Sequence, residues 1–167
     1  MQKHPHTALT DLAFAPHDHS HCAGDVLAGA AAVAAARGAR MTPVRQRTLE
    51  ILLEAHRAMG AYEVLERLAA DGYGKQPPVA YRALEFLVDL GLAHRITRLN
   101  AFAACMHPGA AHSPAFLICR MCNKIAEAAA TAARTALEAE VAPGGFLVEY
   151  AAIEVVGLCP ACQKAVP

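Results

Sequence analysis

Apolar residues recur at helical spacing through the first half of the chain, and the pattern then changes to that of short strands. Residues 26–36 form an unbroken run of eleven small and apolar residues. A bilayer span takes about 20, and Asp25 is not the cationic lead of a secretory signal, so the run reads as an Ala-rich first helix. Thr42-Pro43 supplies an N-cap and a proline at the first helical position. Val44, Thr48, Ile51, Leu52 and Ala55 then share one stripe, predicting a second helix that ends near His56. After Gly60, the residues Ala61, Val64, Leu65 and Leu68 repeat the spacing, and Gly72 supplies a stop. Pro77-Pro78 opens another helix with Val79, Ala83, Leu87 and Leu90 on its buried face and Gly91 at its close. Tyr81, Arg82, Glu85 and Asp89 fall on its other faces. Residues 92–97 and 101–105 read as strands around Arg98-Leu99-Asn100, a link short enough for a β-hairpin.

Helices in series followed by a hairpin describe a winged helix-turn-helix, whose last helix would enter the DNA major groove. The same stripes would also serve a small helical bundle capped by a hairpin, and periodicity does not separate the two. Composition favours a mainly helical α+β chain: 167 residues are 55% hydrophobic, with much alanine and only 5% aromatic residues. So few aromatics argue against a large aromatic-lined enzyme pocket. The net charge of zero carries no overall nucleic-acid footprint, leaving local basic residues such as Arg37, Arg40, Arg45 and Arg47. Residues 4–22 hold His4, His6, His17, His19, His21 and Cys22 among prolines, without a sustained period. They read as a mobile tail, in which the entropy of ordering disfavours a dedicated third metal site.

The last third of the chain is bracketed by Cys119-Arg-Met-Cys122 and Cys159-Pro-Ala-Cys162, with 36 residues between the inner cysteines. Two sulfurs separated by two residues reach one ion from a tight knuckle, so two such pairs can complete a closed, structural, tetrahedral zinc shell. A dithiol redox pair and two disulfides are the alternatives. Six cysteines without a secretory signal fit a reducing, cytoplasmic setting.

Several separated stretches, taken together in this order, resemble the ferric uptake regulator family, and within it the zinc uptake regulator branch. They are Thr42-Pro43-Val44-Arg45, residues 60–65 (GAYEVL), residues 77–87 (PPVAYRALEFL), residues 116–122 (FLICRMC) and residues 157–162 (GLCPAC). The resemblance covers about residues 24–164. It implies a dimeric, metal-dependent transcriptional repressor with an N-terminal winged helix and a C-terminal α/β dimerisation domain. Strands would lie near 115–119, 124–127 and 146–157, with a helix near 129–142. Domains would then be a His-rich tail at 1–23, a winged helix at 24–105, a hinge at 106–114 and a dimerisation and metal-binding domain at 115–167.

The resemblance also implies a second, regulatory zinc held by His94, Cys105, His112 and Glu127, giving two zincs per chain. One thiolate, two imidazoles and a carboxylate suit tetrahedral zinc better than iron or manganese. The single histidine in Ala111-His112-Ser113 departs from the histidine and acid runs of the iron and peroxide branches. Asn123 stands where a glycine often follows the second cysteine; asparagine tolerates the left-handed backbone. For DNA, Arg82 near the start of the recognition helix suits bidentate guanine reading. Tyr62 matches a family tyrosine that packs on thymine methyls, Arg45 suits a phosphate, and Tyr81 is a further candidate. Dimer symmetry implies palindromic double-stranded operator DNA, and no membrane partner is expected. A zinc enzyme lacks support, because neither His-Glu-x-x-His nor the His-x-Glu of a zinc deaminase occurs. A thiol switch or zinc-binding chaperone without specific DNA binding is the remaining alternative.

Overall fold

A computed structural model describes residue 14 and residues 20–55, 57–109 and 113–165. They fall into two compact units, one spanning 18–111 and the other containing 112–167. The first holds helices α1 (Ser20–Ala36), α2 (Pro43–Glu54), α3 (Ala61–Ala70) and α4 (Pro77–Asp89), then strands β1 (Ala93–Ile96) and β2 (Ala101–Ala104). Helix α1 begins at Ser20, so it takes in residues expected to belong to a mobile tail. The remaining tail histidines, His4 to His19, lie outside the described residues.

The core of this unit follows the predicted stripes. Leu49, Ile51, Leu52, Val64, Leu68, Leu84, Leu87 and Leu92 are fully or almost fully buried, and α1 contributes Val26, Ala30 and Ala34 at intervals of four. Thr48 is buried on the α2 stripe because its hydroxyl donates to the Val44 carbonyl one turn back, at 2.8 Å. On α4 the buried face is centred on Ala80, Ala83, Leu84 and Leu87, one residue round from the expected start at Val79. Gly29 of α1 admits Pro108, since a Cβ there would stand 2.9 Å from the proline Cγ.

The hairpin pairs Ala93 with Ala104 and Ile96 with Ala101. Its link is a 3-10 turn, Thr97–Leu99, closed by Asn100 at φ 45°. Met59, in the connection between α2 and α3, exchanges two 2.8 Å main-chain hydrogen bonds with Phe102 and adds an edge to the hairpin.

The second unit contains β3 (Pro114–Cys119), β4 (Ile125–Ala129), α5 (Thr131–Val141), β5 (Ile153–Gly157) and the short α6 (Pro160–Gln163). Its sheet has the order β4-β3-β5, with β4 antiparallel and β5 parallel to the central strand. The strand expected over 146–157 is confined to Ile153–Gly157. Ahead of it, Pro143 sits in a 3-10 turn and Gly145 takes φ 73°, which ends helix α5 without starting a strand. Phe146, Leu147 and Tyr150 in that stretch are exposed.

Candidate metal clamp and nucleic-acid interface

The parallel register that places Cys119 opposite Gly157 brings the two cysteine pairs to one end of the second unit's sheet. The first knuckle closes through Asn123 N–H donating to the Cys119 carbonyl at 2.9 Å, with Asn123 at φ 56° as its sequence position requires. The second is the first turn of α6, where Gln163 N–H reaches the Cys159 carbonyl at 2.9 Å. All four sulfurs lie within 4.8 Å of one another, and Cys122 and Cys159 are 3.8 Å apart. With Zn–S near 2.3 Å, the edge of a zinc-thiolate tetrahedron is about 3.8 Å. A disulfide needs about 2.05 Å, and these cysteines are free thiols. The donor set and spacing therefore fit zinc.

The Cys159 N–H donates to Cys119 Sγ at 3.4 Å and, with the backbone of the first knuckle, draws that thiol down to about 6. A hydrogen bond with Cys159 keeps the proton on Cys162, whose pKa is pushed up to about 12. One sulfur is thus readily a thiolate and another is not, so filling the clamp displaces protons and metal affinity should weaken as pH falls.

In the first unit, His94 lies on β1 opposite Ala103, and Cys105 follows β2, its N–H donating to the Leu92 carbonyl at 2.9 Å. His94 is nearly buried and Cys105 fully so, with their ligand atoms within 4.8 Å. The hairpin's two ends thus put one imidazole beside one thiol. In the second unit, Glu127 lies on β4 opposite Phe116 and is half-buried. His112 lies outside the described residues.

Three arginines of the first unit are held in carboxylate ion pairs. Arg47 pairs with Glu50, Glu54 and Asp71, Arg67 with Glu54, and Arg57 with Glu63. Arg82 and Arg45 have no carboxylate partner among the described residues; Glu85 and Asp89, on the same helix as Arg82, do not engage it. Arg82 is exposed on α4. Arg45 lies 3.6 Å over the Phe86 ring and donates to the Arg40 carbonyl at 2.6 Å, which fixes its guanidinium without neutralising it. Between these two cations runs an open cleft of about 570 Å³, lined by Thr42, Val44, Tyr73 and Val79. Tyr62 and Tyr81 are both exposed and meet edge to face with ring centroids 6.5 Å apart.

Sequence reasoning missed Phe86 as the seat of Arg45, because a half-buried aromatic on a helical stripe looks like core. It also missed the Arg57–Glu63 pair, although glutamate three residues after Gly60 is half of a capping-box signal. The Arg47 cluster joins α2 to the end of α3. Its hydrogen bond to Arg47 holds the Glu54 carboxyl below its ordinary value of 4.5. A depressed carboxyl stabilises the fold above that value, and the contribution disappears as pH falls through the folded-state value. Because these groups are partly exposed, Arg47→Met is expected to cost about 1 kcal/mol, with a smaller cost in high salt. Denaturant titrations at neutral pH and at acid pH check this, and the difference between mutant and parent should shrink in acid.

A winged helix-turn-helix unit and a separate sheet unit closed by a four-cysteine clamp define a metal-dependent regulator class of fold. No family model matches the chain. The zinc uptake regulation protein of Escherichia coli K12 is 32% identical over 141 residues, covering 84% of this chain and 82% of the relative. A solved zinc uptake regulator complexed with zinc and DNA superposes with TM-score 0.79 at 30% identity, over 86% of this chain and 96% of the other. A holo form of XcZur gives 0.76 at 36% identity, over 85% and 99%. The chain belongs to the ferric uptake regulator family, in its zinc uptake regulator branch.

Proposed function

We propose that this chain is a zinc-responsive transcriptional repressor that binds palindromic operator DNA as a zinc-loaded homodimer and controls zinc uptake genes. The observation that carries the reading is that Arg45 and Arg82, neither with a carboxylate partner among the described residues, line one open cleft, whereas Arg47, Arg57 and Arg67 are held in ion pairs within the unit. In a chain with no net charge, such sorting supplies the local cationic surface that a phosphate backbone needs. The relative solved with zinc and DNA supports the same partner and cofactor.

In this reading Arg82 reads a guanine edge, Tyr62 packs on thymine methyls, Arg45 holds a phosphate and Tyr81 supports Tyr62 at the groove. Cys119, Cys122, Cys159 and Cys162 hold the structural zinc. His94 and Cys105 at the root of the hairpin, with His112 and Glu127 from the hinge and the sheet unit, hold the regulatory one. Zinc bound to that set supplies a crosslink whose free energy favours the DNA-competent arrangement. The exposed apolar residues Phe146, Leu147 and Tyr150 suit the homodimer contact. No helix among the described residues is long and apolar enough to cross a membrane.

Arg82→Ala is expected to weaken cognate binding by about 1 to 3 kcal/mol and to relax preference at one base pair of each half-site. Zinc content should stay the same. Binding of the variant to duplexes selected by the parent protein and to random duplexes, at one salt concentration, checks this. Equal weakening on both would make Arg82 a phosphate contact and not a base reader.

A further inference from the structure

We propose that Arg57 and Glu63 are positioning residues for Tyr62, and that through Met59 they tie its aim to the hairpin. The inference rests on the reading of Tyr62 as a DNA contact and adds what holds it in place.

Tyr62 is 64% exposed in the first turn of α3, so core packing does not orient it. The first turn of a helix also has orphan N–H groups and frays unless they are satisfied. Here both carboxylate oxygens of Glu63, the next residue, are occupied. Oε2 accepts the Gly60 N–H at 3.0 Å and Arg57 Nη1 at 3.1 Å, and Oε1 accepts Arg57 Nη2 at 2.5 Å. The two-point guanidinium contact restricts rotation of the carboxylate as a single ammonium would not. Arg57 Nη1 also donates to the Ala58 carbonyl at 3.3 Å, so the clamp folds the connection back on itself.

Between these points, the Met59 main chain is paired on both sides with Phe102 of β2. Ala58 and Met59 are buried. The connection is therefore anchored to the hairpin by its backbone and to the start of α3 by its side chains, within three residues of Tyr62. A shift of β2 has a short, hydrogen-bonded route to the tyrosine. The only ring contact of Tyr62 among the described residues is Tyr81, on α4, so the Arg57–Glu63 pair fixes the backbone that carries the tyrosine while α4 meets its ring.

The test uses the full-length, zinc-loaded protein and a pool of randomised duplexes from which the parent selects its preferred sites. Base preference at each position is then measured for the parent, Tyr62→Ala, Arg57→Met, Arg57→Lys and the Tyr62→Ala/Arg57→Met double variant at fixed salt. Arg57 is exposed, so Arg57→Met should fold, and its unfolding transition is recorded alongside. Arg57→Met is expected to lower preference about 2- to 5-fold, at the same positions where Tyr62→Ala lowers it. Positions that depend on Arg82 should not change. In the Tyr62→Ala background Arg57→Met should have no further effect, and Arg57→Lys should restore part of the loss. A uniform loss at every position would make Arg57 a phosphate contact. An altered unfolding transition with an unchanged preference profile would make the clamp purely structural, and additive losses would separate it from Tyr62. Each of these overturns the proposal. If Tyr62→Ala itself leaves the profile unchanged, the reading of Tyr62 fails and the inference falls with it, an outcome distinct from a change seen with Tyr62→Ala alone.

Discussion

Serine in place of Cys119 is expected to cost the sheet unit its fold. Cys119 is the last residue of the central strand, is almost completely buried, and is the point at which β3 leads into the first knuckle. Main-chain N–H groups of Cys159 and of the first knuckle also draw its thiol down to about 6, which favours the thiolate that a metal binds. Serine keeps the shape but offers a hydroxyl that stays protonated near neutral pH and binds zinc poorly. The other three sulfurs would then lack a closed shell. Structural zinc contributes on the order of 10 to 16 kcal/mol in small metal-dependent folds, as much as the roughly 5 to 15 kcal/mol total stability of an ordinary domain. Among its described residues the second unit has a three-stranded sheet and one long helix to oppose that loss. Loss of bound zinc, of the dimer and of a cooperative unfolding transition is expected together, and the same for Cys162→Ser. Metal content, sedimentation and thermal unfolding of the purified variant check it. Retention of one tightly held zinc with the parent's dimer and transition would remove the clamp from its structural role.

Cys105→Ser is expected to behave in the opposite way: the protein stays folded, keeps its clamp zinc and its dimer, and loses the zinc-stimulated part of operator binding. Cys105 is fully buried at the end of the hairpin and its backbone is held by Leu92, so its place in the fold is set by main-chain bonds that serine also makes. The hydroxyl added in a buried site costs about 1 to 3 kcal/mol at most, short of unfolding the unit. In the proposed regulatory set the sulfur is the softest donor, and its loss should leave zinc bound weakly or not at all. Allosteric coupling of this kind is typically about 1 to 3 kcal/mol, or roughly 5- to 150-fold in affinity. Operator affinity measured with and without added zinc should show that factor for the parent and none for Cys105→Ser. An unchanged zinc response would take Cys105 out of the regulatory site.

Much of this was legible because it was written in spacing. Helices α2, α3 and α4 announced themselves by apolar residues three and four apart, flanked by Pro43, by Gly60 and by Pro77-Pro78, and the two cysteine pairs stated their own geometry. The start of α1 was not legible, because a histidine-rich stretch with prolines carries no period even where Ser20 onward is helical. Residues 146–152 were not legible either. The family resemblance carried a strand through them, but strand formation depends on a neighbour, and β5 takes up only Ile153–Gly157 beside β3. In the first unit, Arg82 was put forward from its place near the start of α4 and Tyr62 from the family resemblance. Their supports were not: Phe86 beneath Arg45 and Arg57 against Glu63 are tertiary pairings that leave no local pattern. The proposed regulatory set was offered by the resemblance and not by any local pattern, since His94 and Cys105 stand eleven residues apart in sequence and are brought together by the hairpin.

The central claim is that zinc held beyond the clamp governs DNA binding, and one titration tests it most directly. Zinc is added to the clamp-loaded protein at fixed salt, with operator affinity and bound metal measured in the same samples. Salt is fixed because phosphate contacts alone move the affinity by orders of magnitude. The account predicts that affinity rises as the second zinc per chain binds, and that operator DNA tightens that zinc by the same factor, as linkage requires. Operator affinity that is indifferent to the second zinc, or a chain that binds zinc at both sites and shows no preference among duplexes, would contradict it.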